Sequence, residues 1–170
     1  MSDDGPSTRY HRFYDFSIDD EPVGFFEIEA TPDRITQRAK FAIDDAVSTN
    51  AYVLQIADEA VTAFRTGADD EWRAMDDYPE DAYPLSAFPL LIPDTGKDRR
   101  YRPIDEGTGE VGAERVLRRS DDVVAEVSDG ATNRSFAMDG SVPIEIDWGG
   151  AISRLRSGRD GMLAEVPVDY

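Results

Sequence analysis

Cysteine is absent from this chain of 170 residues, and histidine occurs only once, at His11. Without cysteine the chain cannot form a disulfide, a thiolate zinc site or a thiol nucleophile. With a single imidazole, a serine–histidine–aspartate triad could use only His11, and no metal site can take two histidine ligands. We therefore predict no catalytic residue, no metal-binding residue and no cofactor. This favours a non-enzymatic protein, although it leaves an enzyme open.

Long apolar runs are also missing. The two longest stretches without a charged residue, Ala46–Ala57 and Ala82–Pro93, have 12 residues each. A membrane-spanning helix needs about 18 or more mostly apolar residues. The acidic start of the chain does not have the basic and then apolar pattern of a signal peptide. We therefore expect no membrane partner, and we expect the protein in the cytoplasm or in a particle assembled there.

Positive charge is scarce, because 36 acidic residues face 18 basic ones and the net charge is −18. Such a surface repels itself in dilute buffer. At about 1 M salt the Debye length falls to roughly 3 Å, and most of that repulsion disappears. Few lysines and many short aspartates leave little exposed aliphatic side chain. This composition predicts a halophilic, archaeal type of acidic protein that uses counter-ions of a high-salt cytoplasm. The negative sign of the net charge argues against nucleic acid as a partner.

The hydrophobic pattern predicts an α+β fold that begins with a β-hairpin. The segment Tyr10–Ile18 alternates loosely, and Val23–Glu29 indicates a second strand after the turn sequence Asp19-Asp20-Glu21-Pro22. Thr31-Pro32 is typical of a helix start. Beyond it, apolar residues recur about every 3.6 residues, the period of an amphipathic helix.

This periodic segment predicts one long amphipathic helix over Pro32–Thr66, or two shorter helices if Ser48-Thr49-Asn50 breaks it. Glu114–Ser120 is a candidate for a further short helix. The remainder favours an antiparallel meander, since pairs such as Asp129-Gly130 suit tight hairpin turns. The predicted strands of this meander are Val123–Val127, Arg134–Met138, Val142–Trp148, Ile152–Leu155 and Met162–Val168.

We expect residues 1–170 to form a single domain, with an acidic N-terminal tail over 1–8 and an extended irregular arm over 68–114. The arm repeats an aromatic–proline pair at Tyr78-Pro79, Tyr83-Pro84 and Phe88-Pro89. Aromatic side chains are favoured anchors at protein interfaces. The arm could therefore lie along a partner, or it could fold back over the protein's own sheet. The candidate partner-binding residues are Tyr78, Tyr83, Phe88, Leu90, Leu91 and Ile92.

Residues 107–113 match the glycine pattern of dinucleotide-binding loops, G-x-G-x-x-G/A. The context argues against that use, because the preceding strand contains Pro103 and carboxylates surround the loop. Acidic pairs such as Asp44-Asp45 could also bind a divalent cation through oxygen. The alternative function is therefore a small nucleotide- or divalent-metal-binding enzyme that uses this loop or surface carboxylates.

These observations favour a non-enzymatic binding or assembly protein of a halophilic system. Such a protein would be a subunit of a larger homo- or hetero-oligomer, and a structural or connector component of a virion is one form of this hypothesis. The expected partner is another protein or a second copy of the chain.

Overall fold

The computed structural model describes residues 9–68 and 71–170, and most of their regular structure is β-sheet. The predicted acidic tail lies outside the described residues. Two short helices are present, α1 (Phe88–Leu91) and α2 (Arg159–Leu163). The strands in the described residues are β1 (Tyr10–Ile18), β2 (Glu21–Thr31), β3 (Arg34–Ile43), β4 (Ala46–Ala57), β5 (Ala60–Thr66), β6 (Arg73–Ala74), β7 (Ala82–Pro84), β8 (Asp98–Ile104), β9 (Arg115–Ser120), β10 (Val123–Ser128), β11 (Ala131–Asp139), β12 (Val142–Asp147) and β13 (Ile152–Arg156).

These strands form one sheet in the order β6-β5-β4-β3-β2-β1-β13-β12-β11-β10-β9-β8-β7. All neighbours are antiparallel except β7 and β8, which run parallel. The pairing of β1 with β13 joins an N-terminal and a C-terminal meander in the middle of the sheet. The chain leaves the first meander at one edge, β6, and enters the second at the opposite edge, β7.

The side chains on one face of the sheet form the hydrophobic core. Side chains alternate between the two faces of a strand, and paired residues such as Tyr14 and Phe26 both point inward. The buried cluster contains residues from strands at both ends of the order, including Leu54 of β4 and Leu117 of β9. The sheet therefore curls so that its two halves share one core.

The segment 82–92 lies inside this curl. The Phe88 ring stacks on Phe136 with centroids 5.1 Å apart, and Leu91 is buried. Gln37 on β3 donates from Nε2 to the carbonyl oxygen of Ser86 at 2.5 Å. These contacts connect the segment to both meanders, so it fills the interior that the curled sheet would otherwise leave open.

The predicted α+β architecture is wrong, because the segment Pro32–Thr66 forms β3, β4 and β5 and not one or two helices. The misleading signal was the spacing of Ile35, Ala39 and Ile43. A step of four residues fits a helical face, but it is also twice the strand period, so these side chains can share one face of β3. The proposed break at Ser48-Thr49-Asn50 lies within β4.

Turn chemistry explains the remaining error in this region. Asp44 and Asp45 have φ of 51° and 63°, as in a two-residue hairpin turn with positive φ at both positions. Thr31 does not cap a helix: its hydroxyl donates to Asp33 Oδ1 at 2.6 Å, in the turn that joins β2 to β3.

The N-terminal hairpin and four of the five predicted C-terminal strands are present as β1–β2 and β10–β13. The fifth, Met162–Val168, is wrong, since this region begins in α2 and continues without a strand. The prediction of a helix over Glu114–Ser120 is also wrong, because this segment contains β9. Strand β9 pairs with β10 in a register that places Leu117 opposite Glu126.

The range 68–114 contains β6, β7, β8, α1 and two 3-10 turns. Its aromatic–proline pairs fall at the ends of these short elements. Among the described residues, no helix has the length and apolar character needed to cross a membrane.

Candidate protein-interaction site

The hairpin of β3 and β4 extends beyond the strands on either side of it. On the β2 side pairing reaches Gly24 with Phe41, and on the β5 side it ends near Ala51, whose carbonyl oxygen accepts from Gly67 N at 2.7 Å. We call residues 41–50 the β3–β4 ribbon. Phe41 secures its base by stacking on Phe16, with centroids 5.3 Å apart.

One backbone edge of the ribbon is free of strand pairing within the described residues. Hydrogen-bonded and non-hydrogen-bonded pairs alternate along an antiparallel ladder. Ile56 N donates to Asp33 O, so Ile56 is bonded to the β3 side of the ladder. Because bonded residues alternate along β4, its even-numbered residues are the ones bonded to β3. The backbone groups of Val47 and Thr49 therefore face away from β3. No described strand pairs with them there.

The ribbon is also apolar where it is most exposed. Ile43 and Val47 have exposed fractions of 43% and 59%. The two acidic residues at its tip, Asp44 and Asp45, are its only charged residues. Natural edge strands are usually short or protected by lysine, proline or a bulge. The outer strands β6 and β7 are short, and β7 contains Pro84. The ribbon has none of these protections.

The residues predicted from the aromatic–proline segment occupy a different place. Phe88 and Leu91 are buried in the core, and Tyr78, Tyr83, Leu90 and Ile92 are partly buried against it. All six residues contact the protein's own core, as in the alternative in which the arm folds back over the protein's own sheet. Their role in partner binding stays a prediction.

The glycine loop 107–113 joins β8 to β9 and precedes a strand, whereas a dinucleotide loop precedes a helix. Asp105 Oδ1 accepts from Gly107 N at 2.8 Å and Thr108 N at 3.2 Å. These amides are bonded to a carboxylate of the chain itself. A Cβ at Gly109 would lie 2.5 Å from Arg73 Nη1, so the loop packs closely on β6.

Three of the acidic pairs form hairpin turns. Asp19-Asp20, Asp44-Asp45 and Asp58-Glu59 each have positive φ at both residues and join consecutive strands. In the described parts of the chain, no group of three or more histidine, aspartate or glutamate side chains is placed to hold a metal ion.

The most deeply buried charge belongs to a closed network. Glu126, with no exposed surface, accepts from Tyr101 OH at 2.5 Å, Arg134 Nε at 3.0 Å and Arg115 Nη1 at 2.7 Å. Burial is the main cause that raises the pKa of Tyr101 well above its ordinary value, so the phenol remains a proton donor. These groups satisfy one another inside the protein, which is the condition for a buried charge to be tolerated.

A second polar cluster lies on the outer face of the sheet. Glu27 accepts from Arg38 Nε at 2.9 Å and from Tyr170 OH at 2.8 Å, and His11 Nε2 lies 2.9 Å from it. Beside the cluster is an open depression of about 550 Å³. The depression is lined by His11, Phe13, Ser157, Gly158, Arg159, Asp160, Gly161 and Tyr170. The Arg38 guanidinium lies over the Tyr170 ring, 4.4 Å from its centroid. Its Nη2 is buried and has no hydrogen-bond partner among the described residues.

The sequence pattern predicts a helix at Val47, and at Thr49 either the same helix or a break between two helices; it predicts no site at either residue. The sequence does contain a signal for the ribbon: the uncharged stretch Ala46–Ala57 lies between two acidic pairs, Asp44-Asp45 and Asp58-Glu59. Acidic pairs that bound an uncharged segment rich in β-branched residues indicate a strand between two turns.

Compared with known proteins, the chain matches no protein-family model, no curated protein and no solved structure.

Proposed function

We propose that this chain is a non-enzymatic binding or assembly protein of a high-salt system, and that it joins its partner through the β3–β4 ribbon. The observation that carries the proposal is the free backbone edge at Val47 and Thr49 on a projecting, uncharged strand. An exposed edge of this kind recognises an extended segment of another protein through main-chain hydrogen bonds.

Electrostatics supports the same surface. With a net charge of −18, most approaches to an acidic partner bring like charges together. Strand β4 carries no charged residue from Ala46 to Ala57, and the carboxylates at the tip of the ribbon are screened at molar salt. Contact through this strand therefore costs little repulsion.

Site-specific photo-crosslinking tests the proposal. A photoreactive amino acid replaces Val47 in one variant and Val123 in the control, since Val123 is similarly exposed, at 51%, but lies on a strand paired on both sides. Both variants are irradiated in a host with a molar-salt cytoplasm, and the adducts are identified by mass spectrometry. We expect a defined protein adduct at Val47 and none at Val123. Equal labelling at both positions, or none at Val47, would refute the proposal.

A further inference from the structure

We propose that the partner of the ribbon edge is a second copy of this chain, paired antiparallel along residues 46–50 of β4 about a two-fold axis. This inference rests on the proposed function because it uses the same edge. A strand edge that carries alternating donors and acceptors is complementary to an antiparallel copy of itself, and a two-fold axis lets both copies use identical residues.

The free groups select one register. The backbone N–H and C=O of Val47 and Thr49 face outward, while those of Ser48 face β3. Pairing Val47 with Thr49 of the second copy lets each N–H donate to the other's carbonyl oxygen. The two-fold axis repeats these bonds for Thr49 and Val47 of the second copy. Ser48 then lies on the axis, opposite Ser48 of the second copy. All outward-facing groups of the two residues are satisfied.

The side chains agree with this register. Val47 and Thr49 lie on the same face of β4, so a β-branched pair forms across the new contact, which is a favourable cross-strand combination. Ala46 meets Asn50 of the second copy on the opposite face. No charged side chain meets another within residues 46–50. A shift of the register by one residue would place Ser48, whose backbone is already bonded to β3, opposite a free edge group.

The charge of the chain makes the pairing dependent on salt. Two chains of net charge −18 repel each other, and molar salt screens most of this long-range repulsion. The contact is short and falls at the small end of protein interfaces, so association depends on protein concentration. We therefore expect dimers in concentrated solution at molar KCl and monomers in dilute buffer.

The register is tested with Ser48→Cys in a chain that has no native cysteine. Directly opposed Cβ atoms of a non-hydrogen-bonded antiparallel pair lie about 4.5–5.5 Å apart, close enough for a disulfide after a small adjustment. Ser141→Cys, in the exposed turn between β11 and β12, is the control. Under mild oxidation in molar KCl, we expect a covalent dimer of Ser48→Cys and little of Ser141→Cys. Equal yields would overturn the inference.

Light scattering on the unmodified protein gives a second measurement. We expect the average mass to rise towards that of a dimer with concentration in molar KCl. Val47→Asp should prevent the rise and Val123→Asp should not. Thr49→Pro removes a donor that faces the free edge and leaves the bonds to β3 intact, so it should act like Val47→Asp. A wild-type chain that stays monomeric would contradict self-pairing. If photo-crosslinking at Val47 then captured only a different protein, the proposed function would stand and the second-copy inference would fail.

Discussion

The hydroxyl of Tyr101 donates to Glu126 Oε2 at 2.5 Å, and neither residue has any exposed surface. Tyr101 is on β8 and Glu126 on β10, so this bond passes over β9. Arg134 on β11 donates to both, to Glu126 Oε2 at 3.0 Å and to Tyr101 OH at 3.1 Å. Arg115 on β9 also donates to Glu126, to Oε1 at 2.7 Å, so the network ties four neighbouring strands on the core face of the sheet.

Removing the Tyr101 hydroxyl should destabilise the protein. Tyr101→Phe deletes a hydrogen bond to a buried carboxylate, an interaction worth about 1.5–3 kcal/mol. Tyr83→Phe is a matched control, since the Tyr83 hydroxyl accepts from the exposed Arg99 side chain at 3.3 Å and is not part of the buried network. It should change the free energy of unfolding by less than about 0.5 kcal/mol. Denaturant unfolding in molar KCl measures both. Equal losses for the two variants would show that the network is not specifically stabilising.

Truncation of Phe88 distinguishes the two readings of the aromatic–proline arm. Phe88 has no exposed surface and packs on Phe136 and Trp148. Phe88→Ala should therefore lower the free energy of unfolding by about 3–5 kcal/mol. Leu90→Ala, at a partly buried position, should lower the free energy of unfolding by clearly less than Phe88→Ala does. If Phe88→Ala left stability unchanged and reduced association instead, the arm would bind a partner and not the core.

Burial of Glu106 gives the stability a specific pH dependence. Desolvation is the largest cause that raises the pKa of this carboxyl above its ordinary 4.5, although Ser86 N donates to it at 2.7 Å. Between the unfolded and the raised folded pKa, the folded state holds more protons, so this residue's contribution to stability falls as pH rises.

Glu106→Gln cannot ionise and keeps an oxygen that accepts from Ser86 N. Its stability relative to wild type should therefore increase as pH rises above the ordinary carboxyl pKa of 4.5, and level off once Glu106 is ionised in the folded wild type. Thermal unfolding of both proteins across this pH range in molar KCl checks the sign, because the other carboxyls titrate in both and cancel. A difference that stays constant, or that reverses towards high pH, would contradict this account.

The net charge of −18 predicts dependence of the fold on salt. At about 0.1 M salt the Debye length is roughly 10 Å, and neighbouring carboxylates on the surface repel one another. The melting temperature followed by circular dichroism should fall steadily as KCl is lowered from molar concentrations. The control is a salt-free sucrose solution with the same water activity as molar KCl. If the melting temperature there equals that in molar KCl, hydration and not screening stabilises the chain.

The sequence was sufficient to predict the hairpins whose turns have a common composition, such as aspartate followed by glycine. Asp129-Gly130 has positive φ at both residues and joins β10 to β11, as its composition indicates. Asp44-Asp45 adopts the same geometry without glycine, so its composition gives only a weak turn signal and the hydrophobic spacing predicts a helix across it. Aspartate tolerates positive φ better than most residues, which makes such pairs weaker but usable turn signals.

Long-range features could not be inferred from local patterns. The pairing of β1 with β13 joins residues such as Tyr14 and Leu155, far apart in the chain, and no turn sequence specifies it. The free edge of the ribbon depends likewise on where β5 stops pairing with β4. Both features are set by how the two meanders curl around a common core, which is a property of the whole chain.

Hydrogen exchange at single amides of β4 tests the central claim most directly. Val47 and Thr49 face the free edge, whereas Ser48 is bonded within the hairpin and serves as an internal control. In molar KCl, we predict that the Val47 and Thr49 amides exchange rapidly in dilute protein and become protected as concentration rises, while Ser48 is protected throughout. Rapid exchange at Val47 and Thr49 at every concentration, with or without cellular partners, would contradict the account.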